Sequence, residues 1–440
     1  MNRYVRGGLL RRHRDFRLLW CGETAGKFGA SVTGVAVPLV AVSTLHAGTL
    51  EVGLLSACAW LPWLVVGLPV GVWVDRSRRR PIMLAAAAVS VLLFASVPLL
   101  DRLGRLSMGS LFAVTLLTGV AAVFFQTAYS AYLPGLLDPE DQPEGNSKLQ
   151  GSASAAQIAG RSAAGLTAQL AGAVSAMFAN AGMFLVSLLC LAAIRHREPR
   201  PGGPAEHRRG TMASEILAGL RLVADDRWLR TLTLFGAVSN LGLMGYQSIL
   251  VVFLVREVGL PPGTVGILIA VAGAGGVAGA FIARRAAGRF GTAGATLLCE
   301  LGLAVPALLI PLTTSGAGTL LYVTGGFCVS AGVVAGNVIK AGFHQSYCPP
   351  HLLGRLTAST AFLNYGTVPL GALLGGILGS VLGLRPAMWI TTAAVPLAGL
   401  ILFFSPLRRT RDLPKTPLGW SGALVARQEG SETRSDRSPA

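Results

Sequence analysis

Twelve apolar runs decide what this chain can become. They fall near residues 17–44, 50–73, 82–100, 108–133, 148–173, 176–194, 231–255, 262–283, 293–313, 318–343, 356–382 and 386–404. Each is near or above the ~17–25 residues that carry a helix across a bilayer. Inside hydrocarbon the backbone must satisfy its own hydrogen bonds, so such runs fold as spanning helices. Composition agrees: of 440 residues, 52% are apolar, only 13% are charged and 56 are glycine, where a soluble protein carries roughly 25% charge. A soluble domain of this length would lack the polar surface to cover itself, and the apolar excess excludes a disordered chain. The expected class is an all-α membrane protein with 12 transmembrane helices.

A formal net charge of +17 raises the question of nucleic acid, and the placement of the charges answers it. With the N-terminus taken as cytoplasmic, 30 of the 37 Lys and Arg fall in cytoplasmic segments. Four (Arg102, Arg105, Arg256, Arg385) fall on the opposite side, and three (Lys27, Arg161, Lys340) lie within spans. This is the positive-inside pattern. It predicts a multi-pass protein of the plasma membrane with both termini cytoplasmic, whose basicity serves topology and attraction to anionic lipid; no nucleic-acid partner is expected. Residues 1–15 are polar and Arg-rich, and the run after them is too long for a signal-peptide core. Cys21, Cys58, Cys190, Cys299, Cys328 and Cys348 show no CxxC or metal spacing. Most lie in apolar runs, where cysteine acts as a small hydrophobe, so no disulfide, metal or other cofactor is expected.

One long polar stretch, 195–230, divides the runs six and six. The organisation read from this is an N-terminal segment 1–16, a first six-helix bundle 17–194, the linker 195–230 with a helical tail at Ser214–Asp225, a second bundle 231–404, and a tail 405–440 with few apolar residues. The halves echo one another. Tyr132-Leu133-Pro134 and Asn146 lead into run five, as Gln345, Pro349, Pro350, Leu353, Gly354 and Arg355 lead into run eleven. The basic turn Arg76–Arg80 has a counterpart in Arg284, Arg285 and Arg289. Weak internal symmetry of this kind is how transporter repeats show themselves.

The turn after run two reads Gly71-Val72-Trp73-Val74-Asp75-Arg76-Ser77-Arg78-Arg79-Arg80. Gly71 permits close helix contact at a span end, Asp75 can meet a helix N-terminus or an arginine across the bundle, and the arginines anchor at the headgroups. Such a charged latch can hold one conformation and break in the other. An ordinary basic loop would account for Arg78–Arg80 but not for Asp75. The stretch resembles the loop 2–3 motif of the major facilitator superfamily, G-x-x-x-D-R-x-G-R-R, with Arg78 in place of the second glycine. The resemblance covers roughly residues 14–412. Asp15-Phe16-Arg17-Leu18-Leu19-Trp20 with Gly22-Glu23, Leu68-Pro69-x-Gly71-x-Trp73-x-Asp75-Arg76, Gln345…Leu353-Gly354-Arg355 and Ser405-Pro406-Leu407-Arg408 are similar to the drug-efflux branch that includes macrolide and siderophore exporters. The resemblance implies two pseudo-symmetric six-helix bundles, a central cavity, and antiport in which proton entry drives efflux of a drug, antibiotic or secondary metabolite.

Run one carries Glu23 and Lys27, four residues and so about 40° apart on one helical face. Each charge costs ~2.5–3.5 kcal/mol at mid-bilayer on insertion scales, and pairing lowers that cost. The two read either as a proton or cation site in which Lys27 tunes Glu23, or as a structural ion pair near the cytoplasmic surface. Run five contains Gly160-Arg161-Ser162-Ala163-Ala164-Gly165. The resemblance would place a Gly-Pro-x-x-Gly bend here, and arginine stands where proline is expected. Arg161 lies near mid-span, and an intramembrane ion is a functional candidate by default. It binds an anionic substrate, or neutralises Glu23 or Glu300, or belongs to a structural pair.

Gln126, Asn240, Gln247 and Asn337 are candidates to line the cavity, with helix–helix hydrogen bonding as the plainer role for each. Relatives often carry aspartate where Gln126 and Asn180 stand. Lys340, four residues from His344, is expected to snorkel toward the cytoplasmic surface, and Glu300 to be structural. Gly273-x-Gly275-x-x-Ala278 imitates a dinucleotide fingerprint inside an apolar helix, and with Gly371, Gly375 and Gly379 it reads better as a small packing face. No P-loop, HExxH or G-x-S-x-G occurs, so the chain is not expected to be an enzyme. The expected function is proton-coupled efflux of a small amphipathic molecule by a monomer. A facilitative or uptake transporter, or a membrane sensor, is the alternative.

Overall fold

The computed structural model describes residues 9–75, 77–138, 140–196, 220–348 and 350–414. Expectations for Arg76, for most of the linker and for the tail beyond 414 lie outside the described residues, as do the side chains of Asp75, Gln345, Gly354 and Arg355. Among the described residues, nine helical stretches are long and apolar enough to cross a membrane. One of them, Pro262–Leu312, is 51 residues long and breaks at Gly291, where φ is +75°, a conformation that suits glycine. It therefore supplies two spans. The shorter Thr49–Val65 and the more polar Gln142–Ala171 bring the number to twelve. In chain order the spans are α1 (Arg14–Thr44), α2 (Thr49–Val65, continued by Gly67–Asp75), α3 (Arg79–Arg102), α4 (Met108–Leu136), α5 (Gln142–Ala171) and α6 (Ala173–Ala192). The second half holds α7 (Arg227–Glu257), α8 (262–290), α9 (292–312), α10 (Thr319–Tyr347), α11 (Pro350–Val381) and α12 (Leu384–Phe403).

Local sequence accounts for the ends and breaks. The jog in α2 at Val66 precedes Pro69, whose missing N–H leaves the carbonyl four residues earlier without its helical donor. In α9, Pro306 and Pro311 accompany a tightened 3₁₀ end at Val305–Leu312. Asp226 caps α7 by accepting from Trp228 N (2.8 Å) and Leu229 N (3.0 Å). It also accepts from the Tyr347 hydroxyl at 2.7 Å, tying the end of α10 to the start of α7. Past α12 the chain returns beneath the second bundle, where Asp412 accepts from Thr292 N (2.9 Å) at the start of α9 and Leu413 N donates to Thr292 Oγ1 (2.8 Å). Arg80 donates to the Ala192 carbonyl (2.8 Å), satisfying the C-terminal end of α6.

The six helices of each half pack on one another. In the first, Val35, Leu39, Phe94, Leu111 and Met177 share one buried cluster; in the second, Tyr246, Phe253, Ile310, Tyr322 and Met388 share another. Outward-facing positions keep large apolar groups exposed, among them Leu92, Leu170, Phe281 and Val381, as hydrocarbon contact requires. An even number of crossings puts both ends of the chain on one face, the termini face. The bundles close on the other, distal face. A Cβ on Gly53 of α2 would lie 2.6 Å from the Gly376 Cα of α11, and one on Gly165 of α5 would lie 2.6 Å from the Gly266 Cα of α8. Toward mid-membrane Trp60 stacks on Tyr365 with centroids 6.1 Å apart. All the glycine approaches between bundles among the described residues fall in the middle or distal part, so the molecule is sealed distally.

Candidate functional site

A cavity of about 590 Å³ lies between the bundles below this seal, walled by α1, α2, α5, α7, α8 and α10. A smaller one of about 330 Å³ lies between α1, α4 and α5 on the termini side, and Lys27 borders both. One helix is built for this position. On α5, Asn146 and Gln150 line the smaller cavity and Gln157 and Arg161 the central one. At 100° per residue these four fall within about 60° of one another, a polar stripe that faces the two cavities.

Glu23 is buried and Lys27 half-buried; the Lys27 Nζ stands 3.3 Å from Glu23 Oε1 and donates to Gln126 Oε1 at 3.0 Å. Thr24, beside them, donates to Ser152 Oγ (2.9 Å) and so fixes α1 against α5. The one-face geometry expected from the spacing is present, and Gln126 joins the pair from α4. A proton arriving at Glu23 would remove the carboxylate charge that balances Lys27.

Arg161 pairs with neither carboxylate proposed for it. Glu23 is held by Lys27, and Glu300 by Lys340 at 2.8 Å. Among the described residues the Arg161 guanidinium has no hydrogen bond or ion pair. It reaches from α5 to the second bundle, where Nη1 lies 2.5 Å from the position a Cβ would take on Gly273 of α8. The apparent fingerprint glycine is thus the space the guanidinium occupies. Tyr246 and Tyr322 line the same cavity. No proline bend replaces the lost one: α5 runs unbroken from Gln142 to Ala171. Gly160 packs on the Phe28 carbonyl of α1, 2.7 Å from its Cβ position.

The remaining candidates divide. Gln247 lines the central cavity. Asn240 does not: it donates to the Asn364 carbonyl at 3.1 Å, a bond between α7 and α11. Asn337 is exposed on α10 and borders neither cavity. Asn180 is buried and donates to Thr33 Oγ1 (2.7 Å). Lys340 does not snorkel outward; it turns in to buried Glu300 and lies over the Phe235 ring. At the latch, no described atom lies within 4 Å of a Cβ position on Gly71, so the close contact expected there is absent in this conformation. Arg79 has a buried Nε without a partner among the described residues, and Arg80 serves α6 as described. Sequence reasoning noted Tyr246 as a polar group within a span without placing it in the cavity, and passed over Trp60 and Tyr322; the three form much of the aromatic wall. A single aromatic in an apolar run carries no signal of facing a cavity.

The chain can be placed among known proteins. It is 28% identical over 416 residues to the multidrug efflux pump Tap of Mycolicibacterium fortuitum, covering 91% of this chain and 97% of that protein. To the pump of the same name in Mycobacterium tuberculosis (strain ATCC 25618 / H37Rv) it is 28% identical over 407 residues, covering 88% and 92%. Among solved structures, a bacterial homologue of the iron transporter ferroportin superposes with a TM-score of 0.71 in its inward-facing state and 0.58 in its outward-facing state. Both are 17% identical and span 90% of this chain, with 99% and 100% of the other covered respectively. The nucleoside transporter NupG superposes at 0.70 with 10% identity, covering 90% of this chain and 100% of that one. A family model described as Major Facilitator Superfamily matches residues 19–369; with that match across most of its length and this twelve-helix fold, the chain belongs to the major facilitator superfamily.

Proposed function

We propose that the protein exports small amphipathic molecules from the cell by proton-coupled antiport, as a monomer of the plasma membrane with both termini in the cytoplasm and without enzymatic activity. The relatives named multidrug efflux pumps support the direction of transport, and the distribution of Lys and Arg supports the orientation. On that orientation the described conformation is open to the cytoplasm and sealed outside, the state that loads cargo for export. The observation that carries the reading is the position of Lys27, which borders both cavities and whose one carboxylate partner among the described residues is Glu23. Protonation of Glu23 frees Lys27 at the edge of the cargo space, which is how proton arrival alters cargo binding. One proton crossing 100 mV supplies about 2.3 kcal/mol, roughly 40-fold of accumulation at 1.4 kcal/mol per decade.

Everted membrane vesicles test this. Acidifying their lumen should drive uptake of ethidium, and a protonophore should stop it. Glu23→Gln should leave protein level and substrate-driven exchange intact while removing the dependence on the pH gradient. Unchanged gradient-driven uptake by Glu23→Gln would overturn the role of Glu23, and uptake indifferent to the protonophore would point to a facilitator.

A further inference from the structure

We propose that Arg161 anchors an anion in the central cavity, so that the protein's preferred cargo carries a carboxylate, sulfonate or comparably acidic group on an apolar body. That such an anion is cargo rests on the exporter reading; that the cavity binds it rests on the geometry alone. Among the described residues, no Asp or Glu lines the central cavity. The two carboxylates that could have neutralised Arg161 are engaged, Glu23 with Lys27 and Glu300 with Lys340. Of the two cations that border the cavity, Lys27 is held by Glu23 and Gln126. Arg161 alone has no counter-ion among the described residues.

A guanidinium in this position, ringed by low-dielectric walls, is balanced by an anion from outside the chain. Its planar donor fork suits a carboxylate or sulfonate. Trp60, Tyr246, Tyr322 and Met244 offer apolar and aromatic surface to the body attached to it. The volume of about 590 Å³ falls within the ~300–1,000 Å³ of sites that hold drug-sized molecules. The place also bears on the transport cycle. Arg161 belongs to α5 but reaches Gly273 of α8, one turn below the Gly165–Gly266 approach. A ligand held there touches both helices that must part.

The test uses two probes with one body: radiolabelled dansylglycine and its neutral amide, bound to the purified full chain in nanodiscs. The wild type should bind the acid at least ~10-fold more tightly than the amide, the range of a charge-assisted hydrogen bond. Arg161→Gln should erase that preference without changing affinity for the amide, and Arg161→Lys should keep part of it. Equal binding of acid and amide by the wild type, or an intact preference in Arg161→Gln, overturns the proposal. Should Arg161→Gln fail to fold by gel filtration, the wild-type ratio and Arg161→Lys decide. Ethidium transport in vesicles separates the two readings. Proton-driven ethidium movement with no acid preference sinks the anion site alone. Acid-selective binding with no proton-driven movement of either probe sinks the exporter and leaves the site.

Discussion

If the two glycine approaches are the distal seal, adding one methyl group at either must favour the opposite conformation. At Gly165 an ideal Cβ would meet only backbone of α8: Gly266 Cα at 2.6 Å, Pro262 O at 2.7 Å and Gly266 N at 2.8 Å. None of these can rotate away, so α5 and α8 must part by about 1 Å to restore ordinary contact. Overpacking of this kind costs ~1–3 kcal/mol, and it is paid only while the distal face is closed. The equilibrium therefore shifts toward the distal-open state by roughly 5- to 150-fold at 1.4 kcal/mol per decade. Gly53→Ala should act likewise, since its Cβ would lie 2.6 Å from Gly376 Cα. Gly135→Ala is the control, a helical glycine with nothing described within 4 Å of its Cβ position. Spin labels at exposed Leu103 and Val381, introduced after replacement of the six native cysteines, report the distal separation in nanodiscs. Gly165→Ala should populate a longer distance that Gly135→Ala does not. If both give the wild-type distribution while Gly165→Ala melts lower, the contact is general packing and not a conformational seal.

Three further outcomes follow from the ion pairs, the C-terminal strap and the cargo charge. Glu300→Gln leaves Lys340 without its 2.8 Å partner in a buried setting; breaking a buried pair costs ~3–5 kcal/mol, and the double variant Glu300→Gln with Lys340→Met should recover much of the lost thermal stability in detergent. Asp412→Ala removes the acceptor for Thr292 N and should cost ~1 kcal/mol, the worth of a helix cap, read as a lower melting temperature with transport retained. Exchange of one proton for a monovalent anion moves two elementary charges, so −100 mV imposed with potassium and valinomycin supplies ~4.6 kcal/mol, roughly 2,000-fold at equilibrium. Dansylglycine flux should therefore rise steeply with potential while ethidium exchange, which moves no net charge, stays flat; equal slopes would refute the assigned charge balance.

How much of this was legible in the sequence depends on which solvent each residue meets. The spans facing lipid announce themselves, because hydrocarbon tolerates only apolar side chains. The Gly291 break between α8 and α9 was legible as well, from the basic turn before it. The start of α5 was not: the apolar run begins at 148, whereas the helix begins at Gln142, because its first turns carry the polar stripe that borders the smaller cavity. The same cause made Arg161 look anomalous. Read as a charge in a bilayer it needs a carboxylate partner, and the sequence offered Glu23 and Glu300. In the fold those acids already have partners, one of them four residues along the same helix and the other on the neighbouring α10. Helical spacing reveals the first pairing but not the second, since Glu300 and Lys340 meet only through tertiary packing. What remains is a helix whose polarity is explained by the cavity it borders, and a cation with no counter-ion among the described residues, which the proposed anionic cargo would supply. The residue that stands where the Gly-Pro-x-x-Gly bend expects proline is also the cavity cation with no described partner, whereas Lys27 is held by Glu23. If Arg161 anchors the cargo as proposed, the position of α5 that departs from the expected bend is also the one that selects what is carried.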